Sequence, residues 1–296
     1  MHEITPAAEE ILDKEFPVHN YGFVRLVDYL GGDKRIVQSA RVSYGEGTKN
    51  IREDRGLIRY LMRHEHTSPF EQVVLTFHAK MPIFVARQWV RHRTARLNEV
   101  SGRYSVMKDE FYIPAAEQVN LQSKNNKQGR SEETFSIEET EKILFEMEQS
   151  QKSSYESYKG MIDKGMAKEL ARINLPLSLY TEWYWECDLH NLFNFLNLRM
   201  DGHAQYEIRA YADVMFDITK KVAPIACESF EDHKLNSMRF SAPELNLLKK
   251  LLRDINPKDI TLFKDSPFIE KKGEEETLNG EGIEFKDKLL RIIKED

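Results

Sequence analysis

The stretch FEQVVLTFHAKM, residues 70–81, decides the fold that this sequence predicts. Apolar side chains recur along it at every second position, a period that is typical of a β-strand. One face carries Val73, Leu75, Phe77 and Ala79, and the other carries Gln72, Val74, Thr76 and His78. Residues 177–187 predict a second strand through Leu179, Thr181, Trp183 and Trp185.

Helices are predicted before and after these strands. Ser136 and Glu139 form a capping box, which predicts a long helix that continues to about Asp163. Asp33 and Asp188 are each predicted to cap a helix at its N-terminus. A further helix is indicated by an apolar stripe at steps of three and four residues, formed by Ala204, Ile208, Tyr211, Met215, Ile218 and Val222. These elements predict an α+β fold, with an antiparallel or mixed sheet flanked by helices.

The chain divides by composition into one large domain and an extension. Residues 1–245 carry the strands and most of the helices, and we expect them to form a single domain. Within it, residues 118–134 (QVNLQSKNNKQGRSEET) have almost no apolar content and predict a surface insertion. Residues 246–296 are rich in charge, including KKGEEE at 271–276, and predict a helical or flexible C-terminal extension.

The composition excludes several classes of protein. Of 296 residues, 41% are hydrophobic and 31% are charged, which is close to an ordinary globular protein and unlike a disordered or collagen-like chain. With only Cys187 and Cys227 there is no disulfide framework or cysteine-rich metal site. No apolar run reaches the roughly 18 residues of a membrane helix, and the acidic N-terminus lacks a signal-peptide pattern. We therefore expect a cytoplasmic protein without a membrane segment.

The basic residues are concentrated in one place, although the net charge is −6. Residues 83–104 follow Pro82, where a helix is expected to begin, and they contain five arginines, a single acid and no lysine. The arginines are Arg87, Arg91, Arg93, Arg96 and Arg103, and the acid is Glu99. Arginine's planar fork suits bidentate contacts to a phosphate or to a base edge. A solvated basic face is the alternative, but Trp89 and Tyr104 lie among the arginines, and Arg87 and Arg91 would share a helical face.

The same stretch resembles a known family. Arg91-His92-Arg93, with Ser101 after seven intervening residues, is similar to the signature of the flavin-dependent thymidylate synthases. Three other strips also resemble that family: ARVSYG at 40–45, HTSPFEQVVLTFHAKMPIFVARQW at 66–89 and FNFLNLRMDGHAQYEIRAYA at 193–212. The resemblance covers roughly residues 20–245 in the family's order.

The resemblance implies an activity and its partners. The family methylates deoxyuridine monophosphate (dUMP) reductively to thymidine monophosphate (dTMP). Methylene-tetrahydrofolate donates the carbon, and FAD reduced by NADPH carries the hydride. The resemblance also implies an α+β catalytic domain that assembles as a homotetramer, with active sites where subunits meet. We therefore expect small-molecule substrates and neither nucleic acid nor a membrane as a partner.

The resemblance implies roles for individual residues. The implied catalytic residue is Arg199, held against the uracil ring as a fixed cation. The implied nucleotide-binding positions are Gln88, Trp89, Val90, Arg91, Glu99, Val100, Ser101, Gly102, Arg103, Arg172 and Arg199. The implied flavin-binding positions are Ser43, His66, Ser68, Glu71, Arg91, His92, Arg93, Glu99, Asp188, Leu189, His190 and Asn194. His190 stands where many relatives have an arginine, so a charge-dependent contact there would be sensitive to pH.

Other interpretations of single residues are weaker. Ser101 has no base spaced to activate it other than Glu99 or His92, so its hydroxyl is expected to bind rather than attack. His64 and His66 do not match the helical zinc motif. A pair of surface-loop histidines is the more common explanation, so no metal is expected. A single-stranded nucleic-acid module would use Trp89, Tyr104 and the arginines, but the net charge of −6 opposes it. A metal-dependent hydrolase fails because the histidines lack the spacing of a ligand set.

Overall fold

The computed structural model describes residues 4–42, 51–124, 129–252, 255–256, 259–272 and 275–294. The chain forms two compact units, Met1–Asn236 and Ser237–Asp296. No helix within the described ranges is long and apolar enough to cross a membrane.

The first unit is built on an antiparallel sheet of five strands in the order β1-β2-β3-β7-β4. These strands are β1 Glu15–Val18, β2 Gly22–Leu30, β3 Val74–Pro82, β4 Arg96–Glu99 and β7 Tyr180–Asp188. Both predicted strands are confirmed as β3 and β7, each beginning about three residues later than the pattern suggested. Residues Phe70–Gln72 instead form a 3₁₀ turn, whose first N–H donates to the carbonyl of Thr67.

Nine helices belong to the first unit as described. They are α1 Pro6–Glu9, α2 Asp33–Arg41, α3 Ile51–Arg63, α4 Ile83–Trp89, α5 Ile137–Asp163, α6 Lys168–Ala171, α7 Leu189–Arg199, α8 Tyr206–Val222 and α9 Pro224–Phe230. A 3₁₀ turn, Arg172–Asn174, follows α6, and a π-helical turn, Glu231–Leu235, follows α9. The long helix, the helix after Pro82 and the apolar stripe are confirmed as α5, α4 and α8.

The core lies between one face of the sheet and the helices that pack on it. The buried alternate residues of β3, including Leu75 and Phe77, contribute to the same apolar cluster as α7 and α8. Trp89 of α4 is fully buried, with its ring centroid 5.4 Å from Trp183 and 5.0 Å from Phe195. α4 is therefore anchored to the sheet and to α7 at the residue where it ends.

The predicted helix caps are confirmed with one exception. The Ser136–Glu139 capping box opens α5, and the Asp188 carboxylate accepts the N–H of Asn191 in α7 at 2.9 Å. The prediction for Asp33 is wrong, because the cap of α2 is Gly32. The two carboxylate oxygens of Asp33 accept instead from the N–H groups of residues 225 and 226, at 2.9 Å each. Asp33 thus caps α9, which no local pattern could reveal.

The polar insertion contains a β-hairpin. Strand β5 (Asn120–Gln122) pairs antiparallel with β6 (Arg130–Thr134), whereas residues 125–128 lie outside the described part of the chain. Backbone pairing holds this hairpin together, and an ion pair between Arg130 and Glu207 ties it to α8. Because the insertion has few apolar side chains, the alternation that predicts strands could not show here.

The second unit contains its own secondary structure. Its elements are α10 Ala242–Leu251, β8 Ile269–Lys272, β9 Glu275–Leu278 and α11 Gly280–Lys294. The Glu244 carboxylate accepts the N–H of Ser241 ahead of α10, and the rings of Phe263, Phe268 and Phe285 lie 5.4–6.4 Å apart. The predicted boundary after residue 245 therefore falls inside α10.

The Arg130–Glu207 pair gives a prediction about stability. Glu207 is only 2% exposed, whereas Arg130 is 33% exposed. Burial raises the pKa of Glu207, but the Arg130 guanidinium and the Tyr112 hydroxyl bring that pKa below its usual value. Arg130→Met should therefore lower the free energy of unfolding by about 2 kcal/mol, because it leaves a buried carboxylate without its cation.

The measurement is urea denaturation at pH 7. Lys124→Met is the matched control, since it removes an exposed pair with Glu133 on the same hairpin and should change the free energy by less than about 0.5 kcal/mol. Equal effects of the two variants would contradict a structural role for the Arg130–Glu207 pair.

Candidate active site

The pairing of β3 with β7 sorts the predicted site residues into two groups. Pro82 pairs with Tyr180 at one end of the strand pair, and Val74 pairs with Asp188 at the other end. α4 and the arginine-rich turn follow the first end of β3, and Arg172 precedes β7 there. These residues, with Arg199, are the arginine group: Gln88–Arg93, Glu99–Arg103, Arg172 and Arg199. At the other end lies the turn–helix group: His66, Ser68, Glu71, Asp188–His190 and Asn194.

Arg199 is joined directly to the arginine-rich turn. It is the last residue of α7. Its Nε donates to Nε2 of His92 at 3.1 Å, and a terminal nitrogen donates to the carbonyl oxygen of Gln88 at 3.2 Å. Three residues that the sequence assigned to one site from distant segments are therefore in contact.

The Arg199–His92 contact fixes the charge of both groups. Burial, and then the charge of Arg199, lower the pKa of His92 from 6.5 to about 4. His92 is therefore neutral at pH 7, with the lone pair of Nε2 accepting and the proton on Nδ1. Burial also lowers the pKa of Arg199, but a guanidinium stays protonated at physiological pH. The site thus presents a cation that pairs with no carboxylate among the residues that the structure describes.

Four further arginines have no acidic partner in the part of the chain that the structure describes. Arg87, Arg91, Arg93 and Arg172 are exposed, and none has a hydrogen-bond or ion-pair partner within the described ranges. Arg96 and Arg103 differ, since they pair with Glu186 and Glu169. Unpaired guanidinium groups in one region suit an anionic ligand. The prediction that Arg87 and Arg91 share a helical face is wrong, because α4 ends at Trp89.

The Ser101–Gly102 turn is packed against Arg172. The N–H groups of Tyr104 and Ser105 both donate to the Ser101 carbonyl at 3.1 Å. A Cβ on Gly102 would lie 3.1 Å from Cδ of Arg172 and 2.9 Å from the sulfur of Met107. A side chain at Gly102 would therefore require Met107 and Arg172 to shift, so two of the predicted nucleotide-binding segments meet here.

Some predicted positions contribute no free side chain. Trp89 and Leu189 are both fully buried, so the Trp89 ring is not available for the stacking that the nucleic-acid alternative would require. The ring is part of the core against Trp183, and only the backbone of these two residues can contact a ligand. Val90 and Val100 are 40% and 43% exposed and remain predicted positions.

The turn–helix group lies at the end of β3 that begins with Val74. The N–H of Leu189 donates to the carbonyl of Val73 at 2.8 Å, which holds the start of α7 beside the 3₁₀ turn containing Glu71. Asn194 Nδ2 lies 3.3 Å from Nε2 of His190. The remaining members His66 and Ser68 are exposed. Ser43 lies outside the described residues.

The described ranges hold no group of three or more histidine, cysteine, aspartate or glutamate side chains arranged to bind a metal ion. The ring centroids of His64 and His66 are 6.4 Å apart, and both rings pack near Tyr60. Aromatic packing is therefore the contact that the structure gives this pair.

Among the side chains that contact predicted site residues are three to which the sequence assigned no role in the site. Gln205 accepts a hydrogen bond from Gln88, the Thr181 hydroxyl donates to Glu99, and Glu169 pairs with Arg103 at 3.1 Å. Gln205 lies within residues 193–212, a strip that resembles the family, so the sequence did contain a signal that pointed to it. Thr181 and Glu169 carry no local signal, because their partners are 82 and 66 residues away.

Comparison with known proteins gives consistent results. The family described as thymidylate synthase complementing protein matches residues 25–225. A flavin-dependent thymidylate synthase from Treponema denticola is 62% identical over 241 residues, covering 81% of this chain and 91% of the relative. One from Treponema pallidum is 57% identical over 251 residues, covering 85% and 82%.

Among solved structures, a UMP/dUMP methylase from Streptomyces cacaoi bound with 5-Br dUMP is similar, with a TM-score of 0.68 and 32% identity. The match covers 75% of this chain and 100% of that chain.

The lowered pKa of His92 gives a prediction about pH. The unfolded chain takes a proton on His92 near pH 6.5, and the folded chain does so only near pH 4. Stability is therefore complete above pH 6.5 and is lost as the pH falls toward 4. His92→Gln should reduce the loss of unfolding free energy between pH 7 and pH 5 by about 1 kcal/mol, an amount discounted for partial exposure of the ring.

Urea titrations of wild type and variant at the two pH values make the measurement. His64→Gln removes an exposed histidine and is the control, expected to leave the loss as in wild type. An unchanged loss in His92→Gln would contradict the neutral state assigned to His92.

Proposed function

Since the chain belongs to the thymidylate synthase complementing protein family, we propose that it methylates dUMP reductively to dTMP. The observation that carries the proposal is the hydrogen bonding of Arg199 to His92 and to the Gln88 carbonyl. These hydrogen bonds hold the Arg199 guanidinium in place, and no carboxylate of the described residues pairs with it. A fixed cation among exposed arginines suits a nucleotide whose ring must accept negative charge.

The arginine group would bind the nucleotide. Arg91 and Arg172, which have no partner among the described side chains, offer cations for the phosphate, and the Ser101 hydroxyl offers a donor. Arg103, a further predicted position, pairs with Glu169 and would exchange that carboxylate for the phosphate. Arg172 lies against Gly102, so the two segments can contact one small ligand together. A compact anionic ligand agrees with the exposed, unpaired side chains that Arg91, Arg93 and Arg172 have among the described residues.

Arg199 would act on the uracil ring. Attack by C5 on a one-carbon electrophile requires electron density in the ring, and a guanidinium beside N3 and O2 stabilises the enolate-like form. Because His92 is neutral and accepts from Nε, it orients Arg199 without adding a competing positive charge. Arg199 would hold its proton throughout, as an electrostatic group rather than a base.

The side chains of the turn–helix group offer hydrogen-bond donors to a flavin. His66, Ser68 and Asn194 are exposed polar side chains near the N-terminus of α7, and Arg91 and Arg93 are cations without partners among the described side chains. This set suits the pyrophosphate and the polar ring edge of FAD. Bound FAD, reduced by NADPH, would supply the hydride, with methylene-tetrahydrofolate as the carbon donor.

The placement of the two groups supports an active site shared between subunits of a homotetramer. Leu189 and Arg199 lie at opposite ends of α7, about 15 Å apart at 1.5 Å per residue. Apolar side chains near the arginine group are also exposed: Leu97, Val100, Val106, Leu170 and Ile173 are 39%, 43%, 49%, 51% and 69% exposed. Several exposed apolar side chains close to a predicted site suit an interface with another subunit.

Sedimentation equilibrium tests the assembly. We expect a mass four times that of one chain, and a weaker association in Ile173→Asp, which places a charge on that surface. A monomer that binds FAD normally would contradict the shared site.

The function itself is tested with purified protein supplied with FAD, dUMP, methylene-tetrahydrofolate and NADPH, with dTMP measured by chromatography. Arg199→Ala should reduce dTMP formation at least about 100-fold and leave most of the flavin absorbance. Arg96→Ala removes a nearby arginine that pairs with Glu186 and is expected to retain activity. Near-normal turnover by Arg199→Ala would contradict the role of Arg199.

An anaerobic NADPH titration separates the cofactor from the methyl transfer. We expect the visible flavin band to bleach, and dUMP to change the rate or extent of bleaching. Absence of retained flavin and of bleaching would overturn the proposal and favour a nucleotide-binding module.

A further inference from the structure

Gln205 lies between the arginine group and the start of α8. It occupies the N-cap position immediately before Tyr206, and its side-chain oxygen accepts a hydrogen bond from the Gln88 amide. Gln88 is a predicted nucleotide-binding position, and its carbonyl accepts from Arg199 at 3.2 Å. Gln205 therefore contacts the side chain of Gln88, whose backbone carbonyl accepts the hydrogen bond from the proposed catalytic residue, Arg199.

Three contacts to Glu207 hold the backbone at the start of α8, where Gln205 lies. Glu207, two residues later, is 2% exposed and pairs with Arg130 of the hairpin. The hydroxyl of Tyr112 donates to the same carboxylate at 2.8 Å. Nε2 of His19 lies 3.0 Å from the Glu207 carbonyl and donates to it. The start of α8 is therefore a rigid base for the Gln205 side chain.

The bond from Gln205 acts on the side chain of Gln88 and not on its backbone. A glutamine side chain has three rotatable bonds and loses considerable rotamer freedom when it is ordered. A hydrogen bond at its end selects one direction for the carboxamide before a ligand arrives. The contact from Arg199 to the Gln88 carbonyl is made by the backbone, which α4 holds independently.

Resting on the proposed function, we propose that Gln205 is a positioning residue that orients the Gln88 carboxamide toward the nucleotide. Its contribution is to the binding of dUMP, because ordering Gln88 in advance lowers the entropy lost on binding. The rate of the chemical step is not expected to depend on it, because the backbone contact to Arg199 remains.

A double-mutant cycle on the FAD-loaded full-length protein tests this proposal. Gln205→Met removes the accepting oxygen and preserves side-chain length. We expect KM for dUMP to rise about 5- to 10-fold, which corresponds to a single net hydrogen bond, with kcat within about twofold of wild type. In the Gln88→Met background the same change should have no further effect, since its target is gone.

Gln122→Met is the matched control, because Gln122 and Gln205 line the same cavity beneath the hairpin, and the Gln122 amide donates within the hairpin to the Gly129 carbonyl at 2.9 Å. It should leave KM for dUMP unchanged. A KM for Gln205→Met equal to that of wild type, an equal loss in the Gln88→Met background, or a fall in kcat alone would each overturn the role of Gln205. Wild-type protein that forms no dTMP would instead overturn the proposed function, so the two failures are distinguishable.

Discussion

The antiparallel pairing of β3 with β7 is the constraint on which the rest of the structure depends. Nine residue pairs, from Val74 with Asp188 to Pro82 with Tyr180, fix the register. A slip of one residue would turn Phe77 and Trp185 away from the core. The same register brings the segment after β3 beside the segment before β7, which is why Gly102 meets Arg172. It also starts α7 at the far end of the strand pair, so that the helix ends with Arg199 at the arginine-rich turn.

Burial affects the charge states in the site as much as neighbouring charges do. Arg199 is at the C-terminus of α7, where the helix dipole favours a cation, and its nearest side-chain partner is a histidine whose pKa is lowered to about 4. A carboxylate in that position would neutralise the guanidinium, whereas a neutral imidazole only orients it. Along the same turn, Arg96 is paired with Glu186, while Arg91 and Arg93 have no partner among the described residues. The chain thus separates arginines that stabilise its fold from arginines available to a ligand.

The sequence predicted those features that depend on near neighbours. The alternation in residues 70–81 identified β3, and the pair Ser136 and Glu139 identified the start of α5. It could not show that Asp33 caps α9, nearly 200 residues away, or that Trp89 belongs to the core rather than to a ligand surface. The signature selected His92, and the resemblance of residues 193–212 selected Arg199, but their hydrogen bond joins residues 107 positions apart. Gln205, by contrast, is close in sequence to residues that were selected, and only the folded chain reveals its contact with Gln88.

We infer that the β3–β7 register places a flavin-binding end and a nucleotide-binding end at opposite ends of one strand pair, each built from separate segments. Hydrogen–deuterium exchange of the protein without ligand, with FAD, and with FAD and dUMP tests it most directly. The account predicts that FAD slows exchange in peptides covering residues 66–71 and 188–194, together with 91–93. Added dUMP should extend protection to residues 99–103 and to the peptide containing Arg172. Protection by either ligand confined to the hairpin at 118–134 or to the second unit would contradict the account.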